Sequence, residues 1–214
     1  MDFQLLVLTF CVLLVVLLAR LLIILRTRDC KPGRKGFVSV LAVAGSGGHT
    51  TELLRLLGSL SSSYTPRYYV IADTDKMSED KITTFESTKG KKTSEAQFTI
   101  HRIPRSREVL QSWSSSVLTT LYSFFYSLPL VFRLKPDLVL CNGPGTCIPL
   151  CVSAILLGIL GVKKVVIVYV ESICRVETLS LSGKLLYHFS DYFFVQWPFL
   201  KDKYPKSIFL GRIV

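Results

Sequence analysis

The stretch Val43-Ala-Gly-Ser-Gly-Gly-His-Thr50 joins an apolar run, residues 37–44, to a leucine-rich run, residues 50–60. The first run has the composition of a β-strand, and the leucines of the second recur at helical spacing. Glycines between a strand and a helix let the backbone approach a ligand closely, and the N–H groups at the start of the helix favour an anion. The stretch therefore predicts a strand, a loop and a helix that together bind a phosphate group.

Other interpretations of this first glycine loop can be compared with the residues present. A Walker loop needs a lysine directly after the glycines, and no lysine occurs between Lys35 and Lys76. A dinucleotide-binding fingerprint needs a third glycine where Thr50 stands, although Asp73 could contact a ribose. That interpretation stays open, as does a tight turn without a ligand. The candidate phosphate ligands of this loop are Gly45, Ser46, Gly47, Gly48 and Thr50.

Six further apolar runs with β-strand composition follow the first one along the chain. Helix-like sequence lies between most of them, and strands that alternate with helices form a parallel sheet covered on both faces. The predicted fold class is therefore a Rossmann-like, doubly wound α/β domain. Residues 87–94 have no apolar period and are predicted to form an exposed loop. The six runs cover residues 68–72, 97–103, 138–141, 164–170, 192–196 and 207–210.

A second glycine loop, Asn142-Gly-Pro-Gly-Thr146, follows the predicted strand at residues 138–141. The carboxyl ends of parallel strands meet at one edge of a sheet, and open α/β sheets bind ligands at that edge. The two glycine loops together therefore indicate a phosphorylated ligand. The candidate phosphate ligands of the second loop are Asn142, Gly143, Gly145 and Thr146.

Two side chains at the same edge are candidate bases. His49 stands in the first turn of its helix, where a neutral imidazole can accept a proton. Glu171 follows the fifth strand, where its carboxylate can accept hydrogen bonds from sugar hydroxyls, remove a proton, cap a helix or pair with Arg175. The residues alone do not choose between these roles. His101 and His188 are assigned no role.

An apolar run at residues 5–25 precedes the domain and matches the ~20 residues that a membrane-spanning helix needs. A cleaved signal peptide would have a basic start and a small-residue cleavage site, which this run lacks. Arg20 is close enough to the end of the run for its side chain to reach the membrane interface. Basic residues follow the run and only Asp2 precedes it, which predicts that the domain faces the cytosol. The predicted divisions are a short lumenal end at residues 1–4, the span at 5–25, a basic linker at 26–36 and the cytosolic domain at 37–214.

Two other apolar segments also bear on membrane contact. Residues 108–133 place large apolar side chains on one helical face, before Pro129 bends or ends the helix. This face fits a core helix or a helix in the membrane interface, and both interpretations stay open. Residues 148–160 are too few to span a bilayer and predict a buried crossover helix. The apolar face at 108–133 consists of Leu110, Trp113, Val117, Leu121, Phe124 and Leu128.

The net charge and the cysteine content limit the kinds of ligand and metal site that the chain can have. The net charge of +11 suits an anionic membrane surface or a phosphate-bearing substrate, but it also fits an ordinary solvated surface. The six cysteines form no CxxC pair and have no histidine at zinc-ligand spacing, so we predict reduced, mostly buried thiols and no metal site. No cofactor and no nucleic-acid partner are predicted.

Several stretches give the chain a resemblance to known proteins from about residue 37 to its last residue. They resemble the membrane-subunit family of the eukaryotic two-chain UDP-GlcNAc transferases. More distantly, the loops look like those in the amino-terminal domain of MurG, a bacterial GT-B enzyme that adds GlcNAc to a lipid-pyrophosphate acceptor. MurG has a His-Glu-Gln-Asn motif around the carboxylate that corresponds to Glu171. The stretches are Gly45-Ser-Gly-Gly-His49, Ile71-Ala-Asp-Thr-Asp75, Ile103-Pro-Arg-Ser-Arg107, Asn142-Gly-Pro-Gly145, Tyr169-Val-Glu171 and Leu210-Gly-Arg-Ile-Val214.

This resemblance implies the amino-terminal, acceptor-binding half of a GT-B glycosyltransferase in the endoplasmic reticulum membrane. It implies that both glycine loops face the pyrophosphate of GlcNAc-pyrophosphate-dolichol, and that His49 and Glu171 lie near the acceptor sugar. The half that binds UDP-GlcNAc would come from a separate soluble catalytic subunit, asparagine-linked glycosylation protein thirteen, which this chain would recruit. Ile213 and Val214 are predicted to dock that subunit.

Two other functions stay open at this point. The chain could be a membrane scaffold whose loops take no part in an active site. It could also be a membrane-tethered NAD(P) oxidoreductase, which rests on the imperfect dinucleotide fingerprint. Substitution of His49 and Gly47 separates the scaffold from an enzyme subunit, and cofactor titration tests the oxidoreductase.

Overall fold

The structure is a computed structural model and describes residues 3–26, 36–90, 97–108 and 111–214. Most of the predicted basic linker lies outside the described residues, as do Cys30, Leu110 and part of the predicted loop at 87–94. The elements in chain order are α1 (Phe3–Arg26), β1 (Val40–Val43), α2 (Gly48–Ser59), β2 (Arg67–Ala72), α3 (Lys76–Gly90), β3 (Phe98–Ile103), α4 (Trp113–Leu134), β4 (Leu138–Asn142), α5 (Cys147–Ile159), β5 (Val166–Val170), α6 (Leu181–Leu186), β6 (Tyr192–Val195), α7 (Pro198–Lys203) and β7 (Ile208–Phe209).

The described strands form one parallel sheet in the order β3-β2-β1-β4-β5-β6-β7, which confirms the predicted fold class. The chain moves outward from β1 to β3 and then returns to the other side of β1 with β4. At such a point the loops after the two strands diverge and leave a crevice at the carboxyl edge of the sheet. Both predicted glycine loops begin at this crevice.

Alternate residues of the central strands enter two separate cores. Leu41 and Val43 of β1 belong to the core that also holds side chains of α4, α5 and α6, which we call the α4–α6 layer. Val40 and Ala42 belong to the core that holds side chains of α2 and α3, which we call the α2–α3 layer. Each fully buried aliphatic side chain stabilises the fold by about 1.5–3 kcal/mol. The predicted buried crossover helix at 148–160 is confirmed as α5.

Two predicted irregular segments are helical in the structure. The predicted loop at 87–94 is wrong at its start because α3 continues to Gly90, and Lys89 near that end donates a hydrogen bond to the Leu57 carbonyl, 2.7 Å away. Helix α4 does not end at Pro129 but continues to Leu134. Val131 in this last part is fully buried in the α4–α6 layer, and its packing offsets the ~3 kcal/mol that an interior proline costs.

The predicted apolar face of α4 is not part of the core. Trp113, Val117 and Leu121 are 65, 59 and 50% exposed. The helix instead buries small polar residues such as Ser123 and Ser127, where the Ser127 hydroxyl donates to the Ser123 carbonyl at 2.9 Å. The interpretation of this face as a core face is therefore wrong, because serines fit the narrow contact that α4 makes with its neighbours.

Helix α1 fits a single-pass membrane anchor. Two described helices are long and apolar enough to cross a membrane, α1 over Gln4–Ile23 and α4 over Trp113–Leu134. Helix α4 connects β3 to β4 of the same sheet, so a crossing at α4 would place paired strands on opposite sides of the bilayer. Among the described helices, α1 is therefore the one that can span.

Arg20 of α1 contacts the domain. Its Nη1 donates a hydrogen bond to the Ile159 carbonyl at the end of α5, 3.2 Å away. The sequence predicts that this side chain reaches the membrane interface, and the structure gives it a partner at a helix carboxyl terminus, where a cation is favoured. Leu17 and Leu21 on the same side of α1 are half-buried. The anchor therefore packs against the α4–α6 layer.

The thiols agree with the prediction where they are described. Cys141, Cys147 and Cys151 are buried, free and close together, with 3.5 Å between the Sγ atoms of Cys141 and Cys151. Burial raises the pKa of Cys141 and Cys147, and the contact with Cys141 together with burial raises the pKa of Cys151, so the three thiols stay protonated and unreactive near neutral pH. Cys11 and Cys174 are free and exposed.

Candidate functional site

A cavity of about 750 Å³ opens where the loops after β1 and β4 meet. The two loops touch, because a Cβ atom added to Gly45 would lie only 2.7 Å from the Cβ of Pro144. Glycine at position 45 is therefore required by the close approach of the loops. Gly47 and Gly48 are exposed at the start of α2 and do not line the cavity. The predicted site residues that line it are Gly45, Ser46, His49, Gly143, Gly145 and Thr146.

His49 is held by Asn142, which lies buried behind the cavity wall. The Asn142 Nδ2 donates to the Val170 carbonyl at 3.4 Å, which leaves its Oδ1 to accept from the His49 ring. The distance between His49 Nδ1 and Asn142 Oδ1 is 3.2 Å. Since this contact keeps the proton on Nδ1, the neutral ring has its free lone pair on Nε2. The sequence predicts Asn142 as a phosphate ligand, but its position makes it the residue that orients His49.

Thr50 also lies under the first glycine loop instead of in the cavity wall. Its hydroxyl is fully buried, hydrogen-bonded to the Gly45 carbonyl and 2.7 Å from the Ser78 hydroxyl. Ser78 in turn donates to the Asp75 carboxylate at 2.6 Å, at the start of α3. This buried chain of hydrogen bonds ties the loop to α2 and α3, so Thr50 shapes the loop from below.

Glu171 is fully buried and does not line the cavity. Its carboxylate accepts hydrogen bonds from the backbone N–H of Ser180 at 3.0 Å, from the Ser180 hydroxyl at 3.1 Å and from the backbone N–H of Ser172 at 3.3 Å. Burial raises the pKa of Glu171 above its usual value, against the opposing effect of these hydrogen bonds. Of the two predicted bases, only His49 faces the cavity. Glu171 instead fixes the start of α6 against β5.

We predict that Glu171→Ala and Glu171→Gln differ in both stability and activity. Alanine leaves the buried N–H of Ser180 without an acceptor and should lower the free energy of unfolding by about 2–4 kcal/mol. Glutamine keeps one acceptor oxygen and should retain most of the GlcNAc transfer that the resemblance implies. Thermal unfolding and initial rates measure the two effects. An activity loss in Glu171→Gln as deep as that in Glu171→Ala, with normal stability, would instead identify Glu171 as the base.

The carboxylate of Glu171 also makes the stability of the fold depend on pH. Because the pKa of Glu171 is raised in the fold, the unfolded chain loses this proton first, and stability falls as pH rises from the usual value of 4.5 through the raised one. Glu171→Gln should remove this contribution and flatten the stability profile in that window. The profile of the unfolding midpoint against pH, compared between the two proteins, measures it.

Three arginines line the cavity, and sequence reasoning assigned none of them to it. The Nε of Arg105 donates to the Thr74 hydroxyl at 3.0 Å, and the guanidinium of Arg107 lies 4.5 Å from the centre of the Trp113 ring. Arg175 is exposed, also lines the cavity, and forms no ion pair with Glu171 among the described residues. The Arg-Ser-Arg stretch after β3 is the sequence signal that could have identified two of them, Arg105 and Arg107. With three arginines and one carboxylate, Glu108, among its described lining residues, the cavity is net cationic.

The other wall of the cavity is apolar. Side chains from three helices form it, and most of them are large and exposed to the cavity. The cavity therefore combines glycine loops, arginines and His49 with an open aliphatic and aromatic wall, and Arg107 and Trp113 lie where the two parts meet. The apolar lining residues are Trp113, Val117 and Leu121 of α4, Ile148 of α5, and Leu181 and Leu185 of α6.

The carboxyl-terminal tail lies packed on the domain. The Ile213 N–H donates to Gln196 Oε1 at 2.9 Å, and Gln196 Nε2 donates to the Glu171 carbonyl at 3.2 Å. Val214 is 8% exposed and belongs to the core of the α2–α3 layer, with Ile213 packed against it. The predicted docking residues are thus not on a free end, although Leu210 nearby is 67% exposed.

Comparisons with known proteins agree with this architecture. Residues 40–213 match the family model "Oligosaccharide biosynthesis protein Alg14 like". The chain is 66% identical over 203 residues to the Homo sapiens "UDP-N-acetylglucosamine transferase subunit ALG14", covering 94% of this chain and 93% of that protein. It is 42% identical over 211 residues to the protein of the same name from Yarrowia lipolytica, covering 94% and 95%.

Solved structures with the same fold are more distant in sequence. MurG from Acinetobacter baumannii matches with a TM-score of 0.56 at 17% identity, over 82% of this chain and 45% of that chain. A putative UDP-N-acetylglucosamine 2-epimerase from Listeria monocytogenes matches with a TM-score of 0.58 at 13% identity, over 79% and 42%. The chain thus spans less than half of each of these structures, and they support the fold alone. The family match over the whole domain and the identity to full-length relatives show that the chain belongs to the Alg14 family of UDP-N-acetylglucosamine transferase subunits.

Proposed function

We propose that this chain is the membrane-anchoring, acceptor-binding subunit of a transferase that adds the second GlcNAc to GlcNAc-pyrophosphate-dolichol. In this proposal α1 spans the endoplasmic reticulum membrane and the domain lies on the cytosolic side. The sugar nucleotide is bound by a separate soluble catalytic subunit, asparagine-linked glycosylation protein thirteen, which this chain recruits. The proposal draws on the names of the relatives and on the chemistry of the cavity.

The observation that carries the proposal is the two-part cavity. A pyrophosphate needs backbone N–H groups and cations, which the glycine loops and Arg105, Arg107 and Arg175 supply. A polyisoprenyl chain needs an apolar wall, which α4 and α6 supply. A soluble sugar phosphate would use the cationic end and gain nothing from the wall. The cavity therefore fits a lipid-linked pyrophosphate better than a free one.

His49 has the geometry of a general base in this mechanism. As the acceptor hydroxyl oxygen attacks the anomeric carbon of the donor sugar, Nε2 of His49 accepts the hydroxyl proton. The bond from the anomeric carbon to the phosphate oxygen breaks, and UDP leaves with the bonding electron pair. Asn142 holds Nδ1 in its protonated form, 3.2 Å away, so Nε2 stays available. A positioned base of this kind contributes about 10²–10⁴-fold to the rate.

The docking of the soluble subunit is proposed for the carboxyl-terminal tail. Val214 fills the core, so the contact surface would come from Leu210 and the half-buried Ile213. Because Gln196 links the tail to the Glu171 carbonyl, a partner seated on the tail would be connected to the strand that ends beside the cavity.

Direct binding tests the acceptor role. The full chain in lipid nanodiscs is titrated with a short-chain GlcNAc-pyrophosphate-lipid, with UDP-GlcNAc and with NADPH. The proposal predicts saturable binding of the first ligand alone. Binding of UDP-GlcNAc with similar affinity would contradict the proposal that this chain has no donor site. Binding of NADPH would favour an oxidoreductase, and no binding of the lipid acceptor would favour a scaffold.

We predict that Arg175→Gln weakens acceptor binding. A charge-assisted hydrogen bond to phosphate contributes about 1.5–3 kcal/mol, so the Michaelis constant for the lipid acceptor should rise roughly 10- to 100-fold. The turnover number and the Michaelis constant for UDP-GlcNAc should change little. Arg55→Gln, an exposed position on α2, is the matched control. An unchanged constant for the acceptor in Arg175→Gln would remove this residue from the site.

A further inference from the structure

The two layers of helices expose very different side chains. Among the described residues, α2 exposes no large apolar side chain and α3 exposes only Met77. The α4–α6 layer exposes large apolar side chains on each of its three helices, including Val152 of α5 and Leu185 of α6. One side of the domain is thus polar and the other apolar. Exposed apolar surfaces of this extent usually contact another protein or a membrane.

Helix α4 is the clearest case, because its exposed side is more apolar than its buried side. Leu118 and Phe125 are 68 and 67% exposed, and Tyr122 and Tyr126 on the same side form a hydroxyl pair at 3.0 Å. The opposite side buries Ser116, Ser123 and Ser127. A helix that faces water has the reverse pattern. Aromatic side chains with hydroxyl groups on an outward stripe are typical of the bilayer interface.

The position of helix α1 indicates that a bilayer lies against the apolar side of the α4–α6 layer. It packs on α5, within the same layer, and Arg20 bonds it to the α5 carboxyl terminus. Gly161 adjoins this contact, because a Cβ atom added there would lie 2.6 Å from Nη1 of Arg20. The span and the apolar stripe of α4 therefore belong to one layer. A bilayer that surrounds α1 lies next to the same side of the domain.

We propose that the outward face of α4, formed by Leu118, Tyr122, Phe125 and Tyr126, lies in the interface of the bilayer that α1 spans. The domain then rests on the membrane by its α4–α6 layer. Val117 and Leu121 of the cavity wall adjoin this face on the same helix, so the apolar end of the cavity opens towards lipid. The proposal requires α1 to be in the membrane and does not rest on the acceptor role.

Site-directed fluorescence tests the proposal on the full chain. Cys11, Cys30 and Cys174 are replaced by serine, and single cysteines are introduced as Leu118→Cys or Phe125→Cys. Thr84→Cys and Thr88→Cys, at exposed positions of α3, are the matched controls. Each protein is labelled with an environment-sensitive fluorophore and reconstituted in phosphatidylcholine vesicles with and without nitroxide-labelled lipid.

We expect the nitroxide lipid to lower the emission from positions 118 and 125 by about half or more, since an interfacial helix face lies roughly 5–10 Å into the bilayer. The α3 positions should keep the emission of a water-exposed label. Equal, water-like emission at all four positions would overturn the proposal. A blue shift at 118 and 125 that needs the soluble subunit and shows no lipid quenching would also overturn it, because the face would then be a protein interface.

Discussion

Replacing His49 by alanine is expected to lower GlcNAc transfer by the assembled enzyme by about 10²–10⁴-fold, the contribution of a positioned general base. The ring lies at the cavity wall, and its Nδ1 is 3.2 Å from Asn142 Oδ1, so its free lone pair is on Nε2. Recruitment of the soluble subunit to membranes should be normal, because the described tail contacts do not involve His49. Initial rates with saturating acceptor and co-sedimentation of the soluble subunit measure the two properties.

His101→Ala is the matched control for this substitution. His101 lies on the edge strand β3, its ring nitrogen is 2.9 Å from the Thr99 hydroxyl, and it does not line the cavity. Because His101 has no contact with the cavity, its replacement should leave the rate within about twofold, and any effect should appear in the thermal midpoint instead. If His49→Ala retained the full rate while recruitment was intact, His49 would not be the base, and a membrane scaffold would be the better interpretation of the chain.

Replacing Gly143 by alanine is the second substitution with a large expected effect. Gly143 has a φ of +74°, a conformation that costs an L-residue about 1–2 kcal/mol. The added Cβ would also lie 2.6 Å from Cε1 and 2.8 Å from Nδ1 of His49, so the ring must leave its contact with Asn142. A misplaced catalytic group costs on the order of 10²-fold in rate. We therefore expect Gly143→Ala to lose about 10²-fold in transfer while the protein stays folded.

Gly58→Ala separates this effect from a general intolerance of glycine replacement. Gly58 lies in α2, and its added Cβ would meet only Phe85, at an ordinary 3.8 Å. Alanine is favoured over glycine within a helix, and Gly58 lies in the last turn of α2, so the thermal midpoint should not fall and the rate should not change. A wild-type rate in Gly143→Ala would show that the position of the His49 ring does not matter.

The fold class was predictable because local pattern and topology agree. Apolar runs of strand length alternate with helical periods, and two of the strands end in glycine loops. Those loops mark the point where the strand order reverses, so the location of the cavity followed from the positions of Gly45 and Gly143 in the sequence. The end of α3 and the continuation of α4 past Pro129 were not predictable from local signals, because tertiary packing decides both.

The inner arrangement of the site was less predictable. Asn142 and Thr50 have the residue types of phosphate ligands, but the side-chain direction that turns them towards His49 and Ser78 depends on contacts distant in sequence. Glu171 follows a strand, and only the fold shows that the start of α6 covers its carboxylate. An ion pair between Arg175 and Glu171 was one of the roles left open by the sequence, whereas the structure places Arg175 in the lining of the cavity.

Helix α4 shows why periodicity alone could not choose between a core and a membrane position. Its sequence contains two apolar stripes, one through Val117 and Leu121 and another through Leu118 and Phe125, separated from a stripe of serines. A core helix and an interfacial helix both place apolar side chains along one face, so helical periodicity alone does not distinguish them. The structure separates them because the serine stripe is buried, whereas Val117, Leu121, Leu118 and Phe125 of the apolar stripes are exposed.

The most direct test of the central claim is transfer of labelled GlcNAc from UDP-GlcNAc to a GlcNAc-pyrophosphate-lipid in membranes. The membranes carry this chain alone, the soluble subunit alone, or both. The split between an acceptor half and a donor half predicts transfer only when both chains are present. Transfer by this chain alone would mean that it holds a donor site, and transfer by the soluble subunit alone at the full rate would mean that the cavity beside His49 does not bind the acceptor.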